Sequence, residues 1–273
     1  MKNSLEIPFI QGDKAWYFLS VFYARENWAD LVSQINQFYQ DRKDKYCACL
    51  ISFSDEKGEH MEISLACGVC QENMEDEIDC FLLLFLERYP SISKVMFPYG
   101  KAMWCNYPNN TLVWRRFQRI NLSEYYLNFH QISFRLALLL IENDTSSDTL
   151  FSACLYLITK GLFCIESEKQ KSVLSNTYHA TSINFKNYSH LNSVKKLIAE
   201  NLDLQEIYSM LDSYRNENES EFSPELKEWL TNAENIIDDY GYTQFCFYIC
   251  NIFGLSGLHQ LMILELLNSW YNK

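Results

Sequence analysis

The stretch AWYFLSVFY, from Ala15 to Tyr23, decides the fold of this chain. It is almost wholly aromatic or aliphatic, and it lacks the polar–apolar alternation of a strand with one face in water. Such a run predicts a strand that is buried on both faces or that pairs at the centre of a sheet. The neighbouring segments must therefore supply its cover.

The segments that follow are predicted to form the helices and strands that cover this strand. Residues 27–41 carry apolar side chains at helical spacing, which indicates an amphipathic helix packed on the strand. Strands over 46–53 and 60–67 form a predicted hairpin, in which Gly58 can take a positive φ. A second helix, with acidic residues in its first turns, is expected over 72–89.

The remaining segments are mostly helical. Residues 90–110 predict a loop and 112–120 a strand, while 165–190, rich in Ser, Lys, Asn and Thr, predict a mobile linker or flap. Further helices are expected over 123–141, 150–160, 191–201, 203–215, 223–240, 242–252 and 256–271.

The predicted class is α+β, with an antiparallel or mixed sheet from the N-terminal half flanked by helices and a helical C-terminal half. We treat residues 1–273 as one domain. Its α/β half covers about 1–122 and its helical half about 123–273.

The composition of the chain argues against several classes of function. The chain has 273 residues, 48% of them hydrophobic, with 23 Lys and Arg against 35 Asp and Glu and a net charge of −12. This charge argues against a nucleic-acid partner or an anionic membrane. Only 8 Gly and 5 Pro leave no room for a glycine-rich phosphate loop, so no cofactor is expected. Residues 200–240 hold 12 acidic and 2 basic residues, which form either a solvated face or a dock for a basic peptide.

The cysteines suggest a reducing compartment. We expect a cytoplasmic protein, because no signal peptide or membrane-spanning run is evident, and its ten cysteines should be reduced thiols. Cys67-x-x-Cys70 and Cys47-x-Cys49 raise the question of zinc, but no second spaced pair follows them. No metal is therefore predicted, and the cysteines are expected to act as small buried apolar residues.

Three polar residues alternate along the second hairpin strand. His60, Glu62 and Ser64, the polar triplet, share one face of that strand, and the apolar residues between them share the other. The polar triplet is expected to point away from the core. His60 is either a functional residue or an exposed histidine at a strand end, and His130 is predicted to be a buried, hydrogen-bonded core histidine.

A basic cluster lies on the strand predicted over 112–120. Arg115, Arg116 and Arg119 form the densest basic patch of the chain. They either hold an acidic group of a peptide or guard an edge strand by their charge.

The order of these elements resembles the small C-terminal, glutamate-eliminating domain of lantibiotic dehydratases. The segments that carry the resemblance are Trp16-Tyr17-Phe18-Leu19, residues 27–41, Ile51-Ser52-Phe53-Ser54, His60-Met61-Glu62-Ile63-Ser64-Leu65, Phe129-His130-Gln131-Ile132-Ser133 and Cys250-Asn251-Ile252-Phe253-Gly254-Leu255-Ser256. The resemblance implies a role in modifying ribosomally made peptides. In that family a large domain esterifies Ser or Thr with glutamate and the small domain expels the glutamate. Stand-alone relatives eliminate glutamate or act as pyridine synthases in thiopeptide pathways.

The chain departs from the family at its arginines. The family places two Arg after the hairpin His, where this chain has Glu62 and Ser64, so ordinary glutamate elimination is not expected. Arg119 is the counterpart of a third family Arg. The resemblance thus implies a candidate catalytic set of His60, Glu62, Ser64 and Arg119, with Arg115 and Arg116 as peptide-binding residues. We expect Glu62 to pair with Arg119 in one cleft that the Asn251 segment completes.

The sequence leaves two functions open. The first is a tailoring enzyme that acts on a ribosomal precursor peptide by elimination or by pyridine-forming cycloaddition. The second is a catalytically silent module that binds the leader peptide or a large glutamylating dehydratase subunit. Neither needs to bind nucleic acid or a membrane itself.

Overall fold

A computed structural model describes residues 8–54, 57–69, 73–92, 107–114, 124–141, 144–184, 188–255 and 257–273. The chain divides into two units. An α/β unit comprises Met1–Phe134 and Glu142–Ser146, and a helical unit comprises Arg135–Ile141 and Ser147–Lys273.

The α/β unit is built on an antiparallel sheet. Its strands in the described residues are β1 (Phe9–Gln11), β2 (Lys14–Phe22), β3 (Tyr46–Ser54), β4 (His60–Gly68) and β5 (Thr111–Trp114). β2 pairs with β4 along one side and with β1 and β5 along the other, and β3 pairs with β4. β2 is therefore central, and all of its residues after Lys14 are buried, which confirms the prediction made from Ala15–Tyr23.

Two helices cover one face of this sheet. They are α1 (Trp28–Gln40) and α2 (Met74–Arg88), close to their predicted bounds. The Trp28 ring of α1 stacks on Phe53 of β3 with centroids 4.8 Å apart. On α2, the Asp79 carboxylate accepts a 2.7 Å hydrogen bond from the indole N–H of Trp114 in β5. Aromatic side chains thus fix both helices against the sheet.

A third helix contacts β3 through a buried histidine. Helix α3 runs from Glu124 to Ile141, and its His130 Nε2 lies 2.9 Å from the carbonyl oxygen of Ile51. Burial lowers the pKa of His130 to about 4, although this hydrogen bond opposes the shift, so the ring is neutral and donates through Nε2. This confirms His130 as a buried, hydrogen-bonded histidine.

The helical unit contains seven further helices in the described residues. They are α4 (Ser147–Phe163), α5 (Ser167–Asn184), α6 (Tyr188–Asn201), α7 (Leu204–Asn216), α8 (Pro224–Tyr240), α9 (Tyr242–Ile252) and α10 (Gly257–Tyr271). The predicted helices are present, and α4 extends beyond its predicted ends. Among the described residues, no helix has both the length and the apolar character needed to cross a membrane.

The prediction of a mobile linker over 165–190 is wrong for residues 167–184, which form α5. One side of α5 is buried at Gln170, Leu174, Thr177 and Thr181. This is helical spacing, but only Leu174 is apolar, so hydropathy alone does not reveal the helix. Hydrogen bonds make two of the polar positions suitable for burial, since the Gln170 amide donates to the Ile165 carbonyl at 2.7 Å and the Thr177 hydroxyl pairs with the Thr243 hydroxyl at 3.0 Å.

We predict that Gly161→Ala destabilises the chain. Gly161 lies inside α4, and a Cβ there would overlap the ring of Phe245 on α9. Overpacking should lower the free energy of unfolding by about 1–3 kcal/mol, despite the higher helix propensity of Ala. Urea unfolding measures this. The control is Gly68→Ala, which places its Cβ where no atom lies within 4 Å and should change stability by less than about 0.5 kcal/mol. Equal effects of the two variants would contradict the packing described for α4 and α9.

We also predict a pH dependence that comes from His130. The unfolded chain takes up a proton at His130 below about pH 6.5, but the folded chain does so only near pH 4, so stability falls as the pH falls between these values. From pH 7 to pH 5 the wild type should lose about 2 kcal/mol more of unfolding free energy than His130→Gln. His179→Gln is the control, because His179 is exposed in the folded chain as in the unfolded one. Identical pH profiles for wild type and His130→Gln would show the prediction to be wrong.

Candidate functional site

The sheet brings a row of polar residues together on one face. In the strand register Glu62 of β4 lies opposite Ser20 of β2 on one side and opposite Ser52 of β3 on the other. Residues two positions apart share a face, so His60 and Ser64 lie on the same side as this row. We call the surface formed by these five residues the polar face.

The polar triplet is predicted to point away from the core, but in the structure it does not point into solvent. His60 is fully buried, Ser64 is nearly so, and the Glu62 side chain keeps 25% exposure. The Phe22 ring packs on the His60 ring at 4.6 Å, and Tyr107 packs on Phe22 at 4.8 Å. Alternation along a strand shows which residues share a face, but distant segments decide what covers that face.

A separate cluster covers the other end of this face. Trp16, Phe18 and Leu50 form a buried cluster with Leu127 of α3, and Ser64 lies opposite two of its members, Phe18 and Leu50, in the register. Ser64 is therefore enclosed by apolar side chains.

His60 and Glu62 form a pair suited to proton transfer. His60 Nδ1 lies 2.8 Å from the Gly58 carbonyl oxygen, which can only accept, so Nδ1 carries a proton. The other ring nitrogen, Nε2, lies 3.5 Å from Glu62 Oε1. The backbone thus fixes the ring so that Nε2 faces the carboxylate, and a proton can pass between an imidazole and a carboxylate in this arrangement.

Two buried polar atoms on the same face have no partner. Within the described residues, neither Ser20 Oγ nor Trp16 Nε1 has a hydrogen-bond partner, although both side chains are at most 1% exposed. Leaving such a group unpaired costs about 1–3 kcal/mol. A native fold that retains this cost commonly does so where a ligand or a reaction uses the group. The polar face is therefore the candidate functional site.

The other predicted site residues are the three arginines and Asn251. Arg115, Arg116 and Arg119 lie outside the described residues, since β5 ends at Trp114. Asn251 lies on α9 in the helical unit and is exposed. The predicted pairing of Glu62 with Arg119 stays a prediction.

The cysteines of the described residues are free thiols. Eight cysteines are of this kind, and Cys70 and Cys105 lie outside the described residues. Burial raises the pKa of Cys67. Among the residues that the structure describes, no group of three or more His, Cys, Asp or Glu side chains could hold a metal ion.

Comparison with solved structures shows which known fold the chain shares. No family model and no curated protein matches the sequence. The solved structure titled "Pyridine synthase, TbtD, from thiomuracin biosynthesis" matches with a TM-score of 0.64 and 14% identity, over 93% of this chain and 97% of that chain. The chain has the fold of this pyridine synthase. The crystal structure of TsrL also matches, with a TM-score of 0.55 and 10% identity, over 95% of this chain and 96% of that chain.

Sequence reasoning missed Ser20, Ser52 and Trp16 as members or neighbours of the site. The available signal was Ser20 itself, since it is the one Ser or Thr in β2. Its significance depends on its place opposite Glu62, and strand register of this kind follows only from the folded sheet.

We predict that Ser20→Ala leaves stability unchanged or raises it by about 1 kcal/mol, because the substitution removes a buried hydroxyl that has no partner. The control is Ser91→Ala. Ser91 Oγ is also buried, but it accepts a 2.9 Å hydrogen bond from the Ala24 N–H, so its loss should cost about 1 kcal/mol. Urea unfolding of both variants tests this. A larger loss for Ser20→Ala than for Ser91→Ala would show that Ser20 is paired in the folded chain.

Proposed function

We propose that the chain acts on a ribosomally made precursor peptide in the biosynthesis of a thiopeptide-type natural product, with the polar face as its reaction site. One observation carries the proposal: a fold shared with a thiomuracin pyridine synthase over 93% of the chain. The unpaired Ser20 hydroxyl and the His60–Glu62 pair on the central strands support the choice of site.

Within that class, ring formation suits the site better than glutamate elimination. A glutamyl ester brings a carboxylate, and an arginine pair would hold it, but this chain offers Glu62 and Ser64 instead. The Glu62 carboxylate would repel the glutamyl group, and the repulsion is strong where water is scarce. Dehydroalanine residues carry no charge, so a reaction that joins two of them meets no such repulsion.

The polar face could supply the proton transfers of this reaction. Ring formation with loss of water moves protons between an amide nitrogen, its oxygen and the departing water. Glu62 can accept a proton from the amide nitrogen and pass it to His60 Nε2, which lies 3.5 Å away and has no proton while the ring is neutral. The resulting imidazolium can return that proton to the departing oxygen. Ser20 can donate a hydrogen bond to an amide oxygen and so hold the reacting peptide in place.

A second candidate is the catalytically silent module that binds a leader peptide or a dehydratase subunit. The complete burial of His60 favours it, because a catalytic ring must reach its substrate. In this function the polar face contributes to folding, and binding takes place elsewhere on the chain.

Co-expression with a thiopeptide precursor peptide and a glutamylating dehydratase tests the proposal. Mass spectrometry of the peptide should show loss of water together with leader release, which marks ring formation. Glu62→Gln should lower the rate by about 10²–10⁴-fold, the usual contribution of a general base. Glu87→Gln, on the exposed side of α2, is the matched control and should keep wild-type activity.

The other outcomes separate the alternatives. Rapid release of glutamate from a glutamylated peptide would overturn the preference for ring formation. A peptide that binds the wild-type protein but keeps its mass would support the silent module.

A further inference from the structure

The helical unit has an open pocket that shares no residue with the polar face. Its volume is about 820 Å³, and it lies between the end of α3, the middle of α4 and the connection from α7 to α8. We call it the acidic pocket. Its lining includes Leu136, Leu139, Tyr156, Glu217, Glu221 and Glu225.

The floor of the acidic pocket is apolar. Leu136 and Leu226 are nearly completely buried beneath it, and Phe222 and Tyr156 are partly buried at its sides. Leu139 is 53% exposed at the wall, which is unusual for a leucine on a helix of the core. The pocket therefore offers apolar surface to a partner while remaining open to solvent.

The charged side chains that line the acidic pocket are the carboxylates of Glu217, Glu221 and Glu225. Glu217 is neutralised within the fold, because Lys160 Nζ lies 2.8 Å from its Oε2 and the Tyr156 hydroxyl donates to the same oxygen at 3.0 Å. Lys160 is itself only 4% exposed and also donates to the Tyr214 carbonyl oxygen at 2.8 Å, so it cannot turn toward another partner.

Two carboxylates remain without a cation. Within the described part of the chain, no basic side chain pairs with Glu221 or Glu225. The nearest base in sequence, Lys227, donates instead to the carbonyl oxygen of Ser220 at 3.3 Å. Two negative charges therefore stand beside an exposed apolar surface, and this combination complements a cationic, apolar partner.

We propose that the acidic pocket binds a short basic segment of the peptide substrate, a segment that does not include the substrate residues that react. Apolar side chains of the segment would pack on Leu136, Leu139 and Phe222, while a Lys or Arg would pair with Glu221 or Glu225. The proposal rests on the proposed function in taking a peptide as the substrate. An acidic segment is excluded because both free carboxylates would repel it.

Fluorescence anisotropy with two labelled twelve-residue probes tests the pocket directly. The first probe is Leu-Lys-Lys-Leu repeated three times, and the second replaces each Lys with Glu. The wild-type protein should bind only the basic probe. Two variants report on the pocket: Leu139→Ser, and Glu221→Gln combined with Glu225→Gln.

Matched controls carry the same changes outside the pocket. Ile183→Ser replaces an apolar residue of α5 that is 60% exposed, and Asp238→Asn with Asp239→Asn removes two exposed charges from the far end of α8. At about 0.1 M salt each pocket variant should weaken binding by about three- to tenfold, whereas the controls should stay within about twofold. Equal losses in pocket and control variants would show general attraction to an acidic protein and would overturn the proposal.

Kinetics with the precursor peptide test whether the segment that binds the pocket belongs to the substrate. Glu221→Gln with Glu225→Gln should raise KM for the precursor and leave kcat unchanged, because the pocket shares no residue with the polar face. An unchanged KM would overturn the assignment to the substrate. Failure here is distinguishable from failure of the proposed function, since Glu62→Gln should abolish modification and leave probe binding intact.

Discussion

The architecture depends on burying a strand that has no polar side. All residues of β2 after Lys14 are buried, so the chain must cover both faces of that strand and pair it along both edges. β4 supplies one edge, while β1 and β5 share the other. Helices α1 and α2 cover one face through Trp28 and Asp79, and the opposite face is left to carry the polar row.

Sequence patterns predicted the elements well where apolar residues repeat with a clear period. The α+β class, the hairpin, α1, α2 and the late helices all followed from such periods. Helix α5 did not, because hydrogen-bonded Gln170 and Thr177 occupy positions that apolar residues usually take. The pattern also placed His60, Glu62 and Ser64 on one face. The cover of His60 by Phe22, and of Ser64 by Phe18 and Leu50, comes from register and packing.

The residues of the polar face contribute unequally to the stability of the fold and to the proposed chemistry. His60 is held by the Gly58 carbonyl and faces Glu62, so that part of the face contributes to the fold and to the proposed chemistry together. Ser20 contributes little to folding, since its hydroxyl is buried and unpaired among the described residues. Sites built for a ligand often retain such a group, because the ligand supplies the missing hydrogen bond.

The position of α3 limits how a peptide can be recognised. An exposed strand edge offers a row of free backbone groups, to which an extended peptide can add as one more strand. At Ile51 the outer carbonyl of β3 is already occupied by the His130 ring. Strand addition is therefore blocked at that point, and a peptide that reaches this unit must be read through its side chains. The same block shields β3 from pairing edge to edge with a second copy of the chain.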